Sequence, residues 1–138
     1  MNIPNIVTHF TNNRKCIDKQ NNRLKPKAFI HPNKSEVSVV DIDEELTQPN
    51  RDELIFAIGN LIYTGEQKVK ARGDMLVVDI ENIKYGENDE LSVYLEYAST
   101  DIIPKHYNIK PSFEDLDFAN KCAHHLSRIS RLVLFQAA

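Results

Sequence analysis

The chain has 138 residues, of which 41% are apolar and 27% charged, with a net charge of −3. That length suits one domain, and the mix is too apolar for a disordered chain and too charged for a membrane protein. The longest apolar run, Leu54 to Ile58, falls far short of the roughly 20 residues of a membrane span. Residues 1–10, broken by Asn2, Pro4, Asn5 and Thr8, read as no secretory signal. Cys16 and Cys122 are too few for a disulfide framework and read as reduced thiols of a cytoplasmic protein.

Charge is unevenly spread. Residues 1–35 hold seven Lys and Arg against Asp18 alone, whereas the remainder holds ten against nineteen acidic residues. A basic arm thus precedes an acidic body. Such an arm either contacts nucleic acid or an acidic partner, or lies on its own body. Residues 1–26 show no sustained period and carry the turn-prone pairs Asn12-Asn13 and Asn21-Asn22. They read as an irregular arm, and 27–138 as a single domain. Within Arg23-Leu-Lys-Pro-Lys-Ala-Phe29, Pro26 favours an extended segment whose Phe29 and Ile30 dock on the core.

A β-branched strand is expected over 36–42. A helix then opens at Asn50 as N-cap with Glu53 three residues on. Its buried stripe is read as Leu54, Ile55, Ile58, Leu61 and Ile62, with Gly59 packed closely on a neighbour and Gly65 as its left-handed cap. Residues 68–80 alternate like a strand, but the apolar parity switches between Val69, Ala71 and Leu76, Val78, Ile80. A bulge or bend at Gly73 accounts for the switch and re-aims Arg72 and Asp74. Glu87-Asn88-Asp89 forms a turn, Leu91, Val93, Leu95 and Tyr97 a half-buried strand, and His106–Lys110 a further extended piece. The last helix is capped by Ser112, with a core stripe of Ala119, Cys122, Leu126, Ile129 and Val133. The sum is an α+β fold: a curved, mostly antiparallel sheet of about four strands with two helices packed on one face.

Three groups carry possible chemistry. Arg72, Asp74 and His106 offer a phosphate clamp, an orienting carboxylate and an acid–base group, the parts of a phosphodiester- or nucleotide-processing site. The plainer reading is a hydrogen-bonded structural His. Lys121, His124, Arg128 and Arg131 make a basic face on the last helix, which together with Arg23, Lys25 and Lys27 of the arm suits a phosphate backbone. The plainer reading is a solvated face matched to the helix dipole. Cys122 and His125 share a helix face, but Cys122 belongs to the core stripe and a four-ligand site lacks obvious members. No metal or cofactor is expected, and no phosphate loop or nucleophile elbow is present.

Arg23–Phe29, Ser38-Val39, Ala71-Arg72-Gly73-Asp74 and Lys105-His106-Tyr107-Asn108-Ile109, followed by an Ala-rich last helix, resemble in order a group of small bacterial proteins without an assigned activity. The likeness spans roughly 23–133, and Lys105 stands where that pattern has Arg. The resemblance implies a bacterial, membrane-independent protein and adds Asn108 to Arg72, Asp74 and His106 as candidate positions. The expected function is a small non-catalytic accessory protein that docks on a protein partner. The alternatives are the phosphodiester enzyme and nucleic-acid binding.

Overall fold

The structure is a computed structural model that describes residues 3–31, 35–63 and 68–136. In chain order the strands are β1 (Ile6–Thr11), β2 (Ile17–Asp18), β3 (Arg23–Leu24), β4 (Val37–Asp41), β5 (Ala71–Leu76), β6 (Lys84–Tyr85), β7 (Leu91–Ser92), β8 (Tyr94–Tyr97), β9 (His106–Lys110) and β10 (Arg131–Leu134). The helices are α1 (Arg51–Ile62), α2 (Val77–Glu81) and α3 (Leu116–Ile129). The fold is α+β, and every strand pair in it is antiparallel. The main sheet has six strands in the order β10-β5-β1-β4-β9-β8, not the four expected.

The expectation fell two strands short: β10 at one edge, and β1, which places the basic N-terminal segment at the centre of the sheet. Residues 6–11 pair with β5 over their full length and with β4 at Val7 and Thr8. The polar residues Thr8, His9 and Thr11 disguise the strand, yet all three are buried. The irregular arm of residues 1–26 is therefore a core strand, followed by a short hairpin of β2 and β3. Residues Pro26–Phe29 form a 3-10 turn rather than an extended segment, with Pro26 where its fixed backbone angle fits the first turn. Phe29 is fully buried, as its apolar character requires.

The strands alternate between two covered faces, so the helices do not share one. Val7, Val39, Ala71, Met75, Ile109 and Leu132 pack with Cys122, Ala123 and Leu126 of α3 and with Val77 and Ile80 of α2. Phe10, Val40 and Ile42 point the other way and pack with Ile55 and Phe56 of α1. Each fully buried Leu, Ile or Phe contributes roughly 1.5–3 kcal/mol to holding these layers together.

Gly59 explains the placement of α1. A Cβ there would lie 2.6 Å from the Phe10 ring and 2.8 Å from Val69. The helix backbone itself rests on β1, and the buried side becomes Ile55, Phe56 and Gly59. Of the expected stripe, Ile55 is buried and Ile58 half-buried, whereas Leu54, Leu61 and Ile62 face solvent. Asn50 precedes the helix but makes no side-chain cap bond. Gly65, the expected cap, lies outside the described residues.

No bulge occurs at Gly73. The pairs Thr8–Asp74, His9–Gly73 and Phe10–Arg72 run one to one. The parity switch arises further on, where the chain leaves the two-residue period of β5 for the helical period of α2, burying Val77 and Ile80 three apart. Gly73 is small because Leu24 lies against it, with Cδ1 2.7 Å from where a Cβ would stand. α3 likewise starts later than expected: the Asp115 carboxylate, not Ser112, accepts from the Phe118 N–H at 3.0 Å. It also stops sooner, at Ile129, which transfers Arg131 and Val133 to β10.

Candidate functional site

Arg72 is 2% exposed, and its Nε and Nη2 are engaged in structure. Its Nε donates to Asp74 Oδ1 at 2.9 Å, and its Nη2 to Asp74 Oδ2 at 3.2 Å and Asp52 Oδ1 at 2.9 Å. The guanidinium stands 5.1 Å from the centre of the Phe56 ring, a cation–π contact. Nη1 is buried and has no hydrogen-bond partner among the described residues. This cluster ties α1 to β5 through Asp52 and Phe56. A guanidinium held between two carboxylates has no access to a substrate phosphate.

His106 is elsewhere. The register runs Arg131–Asp74–Thr8–Val40–His106 across five strands on one face. Asp74 and His106 are thus three strand spacings, about 14 Å, apart. Acid–base partners need hydrogen-bond reach, so the expected triad of Arg72, Asp74 and His106 does not assemble. The His106 Nδ1 instead lies 2.8 Å from the Ala98 carbonyl and donates to it. Asn108, two residues on, donates to Glu36 Oε2 at 3.0 Å and accepts from Ser38 Oγ at 3.4 Å.

Between these residues and α1 lies a cleft of about 330 Å³, lined by His9, His31, Glu36, Ser38, Tyr63 and His106 among others. It opens because β1 and β4 pair at only two positions and then part. His9 fills the gap in the sheet. Its Nδ1 lies 2.7 Å from the Ser38 carbonyl, its Nε2 2.8 Å from the Ala28 carbonyl, and its ring stacks on Phe29 at 4.9 Å. Burial holds the His9 pKa below its ordinary value, although both carbonyls favour the protonated ring. This histidine closes a gap between strands, a role unsuspected from its neighbours in sequence.

The basic helix face is broken up. Arg131 has left the helix and sits opposite Asp74. Lys121 Nζ is 3.6 Å from Asp89, and Arg128 donates to His125 Nδ1 at 2.8 Å. His124 is exposed. In the N-terminal segment Arg23 pairs with Asp18 at 3.3 Å, while Lys25, just before the 3-10 turn, and Lys27, within it, are exposed. Cys122 is buried, and burial pushes its thiol up to about 12, so it is an inert core residue.

The feature that sequence reasoning missed is β10. It forms one edge of the main sheet. Phe135 donates to the Lys70 carbonyl, which fixes Arg131, Val133 and Phe135 as the positions bonded to β5. Leu132 and Leu134 therefore turn their backbone groups outward. The Leu132 N–H is taken by the Asn22 carbonyl at 3.0 Å. Beyond it, the Leu134 N–H and C=O meet no group among the described residues. Two hollows flank this stretch. One, of about 860 Å³, runs between β10 and α1 and is walled by Asp52, Glu53, Phe56, Ala57 and Val133. The other, of about 730 Å³, is walled by Arg14, Ile17, Lys19, Lys70, Leu134 and Phe135. The signal is the unbroken apolar run Leu132-Val133-Leu134-Phe135, of which the stripe expected for the last helix takes in Val133 alone.

No family model matches the chain, and no curated protein or solved structure is significantly similar to it. None of the described helices is long and apolar enough to cross a membrane.

Proposed function

We propose that this chain is a non-catalytic interaction protein that docks a protein partner by accepting an extended segment along β10. The observation that carries the reading is the open backbone of Leu134 between two hollows. An edge strand with free N–H and C=O groups is a template for another strand, and natural proteins normally blunt such edges with charge, proline or a bulge. From Leu132 to Gln136 there is no charged residue and no proline. Main-chain bonds to the edge would supply affinity, and the hollows would receive alternate side chains, the division of labour usual in strand addition. The separation of Asp74 from His106 by three strand spacings supports this reading over the phosphodiester one.

Selection from a displayed library of random ten-residue peptides tests the proposal. Peptides enriched on the wild-type protein are expected to lose binding to Leu134→Pro. Proline lacks the outward N–H and is tolerated where an edge strand's N–H faces solvent, so the variant should keep its fold by circular dichroism. Equal binding to both proteins, or no enrichment, overturns the proposal.

A further inference from the structure

Resting on that reading, we infer that the segment added at β10 belongs to a different protein and carries acidic side chains on one of its two faces and apolar or basic side chains on the other. The two hollows differ in charge. The one beside Ile17 presents Arg14, Lys19 and Lys70 and no carboxylate. Ile17 and Leu134, which share that hollow, pack against the α3 side of the core, so it lies on that side of the sheet. The hollow on the opposite side presents Asp52 and Glu53 from the first turn of α1, beside Phe56, Ala57 and Val133.

Asp52 is not a loose surface carboxylate, because Arg72 holds it at 2.9 Å from beneath. Lys19, Leu134 and Phe135 line both hollows, so the two meet along the open stretch of β10. Successive side chains of an added strand point to opposite faces. One set therefore meets Arg14 and Lys70, the other meets Asp52 and Glu53 around an apolar floor, and Lys19 stands between the two.

The same charges disfavour a second copy of this chain. Two β10 strands paired antiparallel about a two-fold axis perpendicular to the sheet keep like faces together. Arg14 and Lys70 of each copy would then sit on the same face as their counterparts, and Asp52 and Glu53 likewise. Like charges set side by side select against such pairing. The deciding information is complementary charge, so the edge discriminates among strands rather than accepting any.

Three acetylated, amidated seven-residue peptides test the inference by titration calorimetry. All place Ile at positions one, three and seven and Lys at position five; positions two, four and six are Glu in the first, Thr in the second and Lys in the third. Affinity is expected to fall in that order, by about tenfold between first and last, since several exposed pairs of about 0.5 kcal/mol each act together. The preference should reverse on Arg14→Glu with Lys70→Glu and weaken with added salt. Equal binding of all three peptides, abolished by Leu134→Pro, overturns the charge rule and leaves strand docking standing. Charge-ordered binding that Leu134→Pro does not change overturns strand docking, and the inference falls with it. Light scattering that finds a stable dimer broken by Leu134→Pro replaces the foreign strand with a second copy and also overturns the inference.

Discussion

Arg72 and Lys110 pose the same motif in different solvents. Each is a cation on a strand with two carboxylates beside it: Asp74 and Asp52 around Arg72, Glu36 and Glu96 around Lys110. At the β10–β5–β1 end of the sheet, α1 covers the motif, and the arginine is sealed with Phe56 against it. At the β9–β8 end, Tyr94 and Glu96 on the same face as Lys110 are exposed, and Lys110 keeps its Glu36 bond at 3.2 Å in contact with water. The hydrogen bond that Lys110 donates to Glu36 raises the Lys110 pKa, with burial opposing it. The buried cluster locks a helix to a strand. The exposed ladder places charge along a sheet edge, which discourages further strands. The β8 edge carries charge beside its outward backbone groups, whereas the β10 edge is apolar from Leu132 to Phe135 and has hollows on both sides of Leu134.

The largest test of this contrast is Asp74→Ala. It leaves a buried guanidinium short of its main partner and should cost about 3 kcal/mol or more in urea unfolding. A loss below about 1 kcal/mol would mean that the covered end is not held by the ion cluster. Gly59→Ala comes next. Helix propensity favours it by about 1 kcal/mol, but the added methyl meets the Phe10 ring and should lose about 1–3 kcal/mol through overpacking. A net destabilisation is expected, and a more stable variant would show that α1 does not rest on β1 as described.

His9 stands where the two halves of the sheet part. Its folded pKa lies below the ordinary 6.5 because of burial, so the unfolded chain binds more protons just below that pH. Stability should fall as pH drops beneath 6.5, until the folded pKa is passed. His9→Gln should flatten that slope in parallel urea titrations, and an unchanged slope would remove His9 as its source. Lys110→Ala at the open end should leave the urea midpoint nearly unmoved, because exposed ion pairs are screened by water and salt.

Much of the fold was legible from residue patterns. The β-branched run of β4, the start of α1 and the burial of Ala119, Cys122 and Leu126 on α3 all follow from local periodicity. The close packing at Gly59 was legible too, since a glycine in a helix interior needs a reason. β1 was not, because Thr8 and His9 interrupt its apolar pattern and find their partners, Gly73, Ser38 and Ala28, far along the chain. The candidate site failed for a topological reason. Arg72 and His106 lie on β5 and β9, and β1 and β4, which come earlier in the chain, insert between them in the sheet. The open edge escaped notice because Leu132 and Val133 continue the spacing of the α3 stripe after the helix has ended.

Amide hydrogen exchange on the protein, free and bound to a library-selected peptide, tests strand docking most directly. In the free protein Leu134 should exchange freely while Val133, bonded to β5, is protected, and binding should slow Leu134 by at least about tenfold. Protection that appears instead at Leu95 and Tyr97 on the β8 edge, with Leu134 unchanged, would contradict the account.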